Sequence, residues 1–194
     1  MAHANAVLLT FVSGVALVLG LAPGCSNNST PTPQVALVWT VDEGQNAGCG
    51  AVNDTFSIGN TTTSPIQTVE AGSTANGVPI SANCTVSPNA TGYAVSAYVA
   101  YGTEGTLTIT GQFVVAAGAK PGPQSNITAA FDDNVPHGLI ANMNESDCTV
   151  TFPTNGMGIG PGMVWGYLDC PTETGGTGTP CEGTAQFLFE DCEQ

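Results

Sequence analysis

Seven cysteines and two histidines are the side chains best suited to covalent or metal chemistry in this 194-residue sequence. The cysteines stand at Cys25, Cys49, Cys84, Cys148, Cys170, Cys181 and Cys192. A zinc site needs close pairs such as C-x2-C to set a tetrahedron. None occurs, and the ten-residue gaps between Cys170, Cys181 and Cys192 lack that geometry, so no metal is expected. The alternative fate of thiols is pairing, which is complete only for an even number in an oxidising compartment. Seven is odd, and Cys25 stands apart from the rest.

Residues 7–22, VLLTFVSGVALVLGLA, form an uncharged apolar run shorter than the roughly 20 residues of a bilayer-spanning helix. Such a run suits the core of a signal peptide, and Pro23-Gly24 ends it where a peptidase needs extended chain. Cleavage after Gly24 makes Cys25 the new N-terminus. The tract Leu21-Ala22-Pro23-Gly24-Cys25 resembles the lipobox of bacterial lipoproteins, which ends in a cysteine whose sulfur receives a diacylglycerol. The resemblance implies a signal peptide over 1–24, a lipidated tether over 25–33 and a domain over 34–194. It implies membrane attachment through Cys25, and Ser26 resembles an outer-membrane sorting pattern. The implied address is the outer membrane or the cell surface; without the lipid, the chain is secreted.

Setting Cys25 aside leaves six cysteines, Cys49, Cys84, Cys148, Cys170, Cys181 and Cys192, expected in three disulfides. Proximity along the chain favours Cys170–Cys181, Cys148–Cys192 and Cys49–Cys84 among the possible connectivities.

All 15 acidic residues follow Cys25 and the one basic side chain is Lys120, giving a net charge of −14. Nucleic acid is excluded as a partner on this balance, because binding it needs clustered cations to displace counterions. Direct adhesion to anionic lipid is disfavoured for the same reason. Only 8% of the residues are charged, so the surface is chiefly neutral and polar.

Short apolar runs separated by turn residues predict strands near 34–41, 51–58, 65–70, 78–86, 92–101, 105–116, 126–131, 138–143, 148–152, 163–169 and 184–190. Their Val, Ile, Thr and aromatic content alternates; in Thr106-Leu107-Thr108-Ile109-Thr110 the apolar and hydroxyl residues take opposite faces. The Gly-rich stretches 154–162 and 171–180 read as loops. No sustained helical period follows residue 33. The expected fold is all-β, a two-sheet antiparallel sandwich braced by disulfides.

Little catalytic equipment is visible. His137, in Asp132-Asp133-Asn134-Val135-Pro136-His137-Gly138, reads as part of an exposed turn, and no G-x-S-x-G elbow, P-loop, Rossmann or EF-hand spacing occurs. No cofactor is expected. Trp39, Trp165 and Tyr167, with Tyr93, Tyr98 and Tyr101, are candidates for a sugar-stacking platform or for core packing. Eight Asn-x-Ser/Thr triplets, Asn60, Asn89 and Asn126 among them, are potential glycan acceptors in a eukaryotic secretory chain.

The motifs Cys148-Thr149-Val150, Trp165-Gly166 before Cys170, and Phe187-Leu188-Phe189 before Cys192 resemble the small cysteine-containing β lipoproteins of myxobacteria. The resemblance implies a cell-envelope location and nothing catalytic. The reading is a lipid-anchored envelope protein with a structural or recognition role and a glycan or envelope protein as partner; the alternative is a secreted carbohydrate-binding module or hydrolase.

Overall fold

A computed structural model describes residues 30–42, 54–115, 119–133, 143–153, 156–174 and 180–194. Cys25, Cys49 and His137 lie outside these residues, as does most of the strand expected over 138–143. Among the described residues the chain is all-β, without a helix. The strands are β1 (Gln34–Asp42), β2 (Asp54–Ile58), β3 (Val69–Glu70), β4 (Thr74–Ala75), β5 (Val78–Pro88) and β6 (Gly92–Tyr101). They continue as β7 (Gly105–Val114), β8 (Gln124–Asp133), β9 (Met143–Thr151), β10 (Gly158–Gly160), β11 (Met163–Thr174) and β12 (Pro180–Glu190).

The pairing is antiparallel and follows one path, β2-β1-β12-β11-β9-β8-β7-β6-β5-β4, with β10 added to β11 and β3 to β1. The sandwich favoured by strand spacing calls for two separate sheets, whereas this ladder is continuous and nearly closes into a barrel. The chain beyond β12 crosses the gap and runs beside β5. There Val86 N donates to Glu193 O at 2.7 Å and Glu193 N donates to Cys84 O at 3.0 Å. On the other side β3 leans on the start of β1, and Gly72 N donates to Ile80 O in β5 at 2.8 Å. Val86 and Glu193, and Gln34 and Glu70, are far apart in sequence, which is why strand spacing alone does not reveal these seams.

Alternation decides which side chains fill the interior. Leu107, Ile109 and Phe113 of β7 point inward beside Ile127, Ala129 and Phe131 of β8, and Val95, Ala97 and Val99 of β6 do the same. From the opposite wall, Trp39 of β1 stacks on Phe56 of β2 with centroids 4.5 Å apart, and Phe56 meets Tyr101 edge-on. A Cβ at Gly105 would lie 3.2 Å from both the Trp39 and the Phe56 rings. The glycine thus lets the β6–β7 turn seat against that aromatic pair, and the barrel is packed through its centre.

Two disulfides brace the fold: Cys84–Cys192, with 108 residues of separation, and Cys148–Cys170, with 22. Cys181 is disulfide-bonded as well. The pairings suggested by chain proximity are therefore incorrect. A bulge in the β11–β12 register sets Cys170 opposite Gly183 and Cys181 opposite Glu173, so Cys170 and Cys181 never face each other. Cys170 instead follows Asp169, which pairs with Thr149, and this brings it across from Cys148 in β9. Cys192, beyond the end of β12, lies at the barrel seam against Cys84 of β5. The bonds fit an oxidising, extracytoplasmic compartment.

Candidate functional site

The aromatic residues singled out in the sequence do not converge. Trp39, 1% exposed, and Tyr101 belong to the interior. Tyr93 packs against the core. Tyr98 faces outward from β6 between Asn83 and Thr108. Trp165 and Tyr167 project from the outer face of β11, separated from Tyr98 by β9, β8 and β7 in the sheet order. No continuous stacking platform joins these six residues.

The outer faces themselves differ. Along β7 the outward residues are Thr106, Thr108, Thr110 and Gln112, and β6 presents Ala94, Ser96 and Tyr98 beside them. These side chains need no cover, and they do not make the lipid-facing apolar band that a membrane barrel requires. One concavity of about 680 Å³ lies at the end of this face, bounded by Gln112, Val114, Gln124, Asn126 and Thr128. The buried Gln124 amide is already engaged there. Its oxygen accepts from Val114 N at 2.7 Å while its nitrogen donates to the carbonyls of Val114 and Gly122. The side chain stands in for a strand at a point where the β8–β9 register shifts and Asn126 takes φ of 59°. Its role is structural.

On β11, β12 and β1 the outward positions include Trp165, Leu188 and Ala36, which are apolar and must be covered. The segment 59–68 supplies the cover. It turns at Gly59 (φ 66°), where a Cβ would collide with the Gln67 carbonyl, and it is pinned by the Asn60–Gln67 bridge. Gln186 of β12 donates its side-chain amide to Thr61 O at 3.2 Å, fixing the segment to the wall. The expected strand over 65–70 consequently shortens to Val69–Glu70. The cover is incomplete.

Between this segment and the β10–β11 hairpin remains a groove of about 730 Å³. Trp165, Leu188 and Met163 form its floor, Pro65 and Ile66 one wall, and Glu190 an end. Gly156 closes the other side; a Cβ there would come within 3.0 Å of the Trp165 ring. The indole nitrogen of Trp165 is itself buried without a partner, so what the groove sees of this residue is ring surface. Thr68 Oγ1 lies 3.1 Å from Glu190 Oε1 and 2.8 Å from Gln34 Oε1, and Gln34 Nε2 donates to Asp191 Oδ2 at 3.2 Å. Gln34 also stands between Glu70 and Glu190 in the cross-strand register. The groove thus joins an aromatic, apolar bed to an acidic rim.

Of the residues lining this groove, Trp165 is the one that the sequence marks as a binding candidate. Glu190 carried no signal, because its position beside Trp165 depends on the β11–β12 register, which sets Trp165 opposite Leu188 and Val164 opposite Phe189. Tyr167, 38% exposed, lies one step outside. The groove holds a single carboxylate, and no group of three or more His, Cys, Asp or Glu side chains suited to a metal occurs among the described residues. No protein-family model, curated protein or solved structure matches this sequence.

Proposed function

We propose that the chain is a lipid-anchored cell-envelope protein whose disulfide-braced β domain serves recognition, with the groove over β11 and β12 as its binding surface. The carrying observation is the contrast between a barrel packed through its centre and the outer face of β6 and β7, where Thr106, Thr108, Thr110, Gln112 and Ser96 point outward. The β6–β7 face offers no apolar band with which to enter a bilayer, and the reading gives attachment to Cys25. Cysteine parity supports the same reading. Cys84, Cys148, Cys170, Cys181 and Cys192 are bonded, an odd number, and the proposal gives Cys49 to Cys181 and the lipid to Cys25. Two or three acyl chains, each contributing about 0.8 kcal/mol per buried CH2, hold a protein at a membrane far more firmly than one.

The hydrolase alternative draws no support from the groove, where one carboxylate stands without the second that glycoside chemistry uses. The carbohydrate-module alternative draws on Trp165 and Tyr167, which share the outer face of β11. Detergent phase partitioning of the full chain tests the anchor. The wild type is expected in the detergent phase and Cys25→Ser in the aqueous phase. Equal aqueous recovery of both defeats the proposal.

A further inference from the structure

The groove over β11 and β12 has a composition that selects among ligands. This step rests on the reading of the groove as a recognition site and names the chemistry it takes. We infer that it binds a small organic cation, an ammonium group carried on an apolar body, with the body on Trp165, Leu188 and Ile66 and the charge at Glu190.

Five observations carry this. The volume of about 730 Å³ falls within the range of small-molecule sites, about 300–1,000 Å³. Its floor presents an indole ring and a thioether, and an aromatic face attracts a cation through its quadrupole while accepting hydrocarbon equally well. The end of the groove carries Glu190, whose carboxylate among the described residues meets only the Thr68 hydroxyl, itself closer to Gln34 Oε1. Glu70 and Asp191 extend the negative rim on either side of Gln34. The chain has one Lys and no Arg for 15 acidic residues, so its carboxylates far outnumber its fixed cations.

Other ligand classes fit less well. An anion meets no basic group in the lining and a net charge of −14 around it. A neutral sugar needs donors as well as acceptors, and with the indole N–H buried the lining side chains offer as donors only the hydroxyls of Thr63 and Ser64. A cation asks only for acceptors and π surface, and those are what the groove supplies.

Titrating the full chain in detergent, with its disulfides intact, provides the test. Phenylpropylammonium is the probe and phenylpropanol its neutral counterpart, followed by tryptophan fluorescence and by indole NMR signals. Saturable binding of the ammonium compound, with the alcohol about tenfold weaker, is the expected result. Glu190→Gln keeps the shape and the Thr68 contact; it is expected to weaken the cation about tenfold and leave the alcohol unchanged. Raising the salt concentration is expected to weaken only the cation. Equal affinity for the two probes, an unchanged cation affinity in a folded Glu190→Gln protein, or binding of neutral oligosaccharides in preference overturns the inference. Each of these outcomes leaves the Cys25 anchor untouched, since phase partitioning reads that separately.

Discussion

The β5–β8 meander and the wall made by β11, β12 and β1 use the same alternating strands, yet one leaves its outer face bare and the other covers it. In the meander each strand pairs with its neighbour in sequence, through turns as short as Gly102–Glu104, and along Gly105–Thr110 of β7 the burial follows period two. In the wall β1 pairs with β12 across most of the chain's length, and the outward residues Ala36 and Leu188 are buried beneath 59–68. The difference teaches where a binding site can arise in such a fold. A face of Thr and Ser is satisfied by water; a face that needs cover, and receives it imperfectly, leaves an apolar groove with whatever polar groups stand at its rim.

The sharpest way to break the comparison is to remove the bond that holds the wall to the meander. Cys84–Cys192 ties β5 to the chain beyond β12 and closes a loop of 108 residues. In the chain-entropy account a loop of this size contributes about 4–5 kcal/mol, against about 3 kcal/mol for the short Cys148–Cys170 loop. Replacing both Cys84 and Cys192 by Ala is therefore expected to lower unfolding stability by about 4 kcal/mol, measured by urea denaturation. Hydrogen exchange is expected to rise first at Val86 and Glu193, whose backbone bonds form the seam. A loss no larger than that of the Cys148/Cys170 double variant contradicts the seam's role.

What the sequence made legible follows the same division. The strand expected over 92–101 is β6 to the residue, and the alternation read from Thr106-Leu107-Thr108-Ile109-Thr110 is the burial pattern of β7. Local period and local turns are enough there. The wall resists such reading because its pairs are long-range. Pro171–Thr174, read as loop, continues β11 because Pro180 and Cys181 of β12 lie alongside it, and Gly158–Gly160 becomes β10 because Met163–Trp165 offers an edge. The groove inherits this illegibility: Pro65, Trp165 and Glu190 come together only after three separate segments have paired.

A smaller effect sharpens the contrast at single residues. Leu188 points outward from β12 yet is only 5% exposed, since the cover segment and Trp165 enclose it. Leu188→Ala is expected to lower stability by about 2–3 kcal/mol, the cost of a buried leucine at a site that collapses poorly. The same change should weaken phenylpropanol as much as phenylpropylammonium, because it removes apolar floor and no charge.

The smallest effect belongs to the bare face. Thr108 occupies the corresponding outward position on β7, half-buried, with Tyr98 and Ala130 as cross-strand neighbours. Thr108→Ala removes a hydroxyl that water already satisfies and a β-branched carbon that favours the strand, so the expected loss is about 0.5 kcal/mol in urea denaturation. If it instead matches Leu188→Ala, the meander's outer face is covered after all, and the reason for placing the binding surface on the wall fails with it. A small loss means that both faces obey one rule: outward positions contribute to stability in proportion to what the chain lays over them, and on the wall what is laid over them shapes the groove.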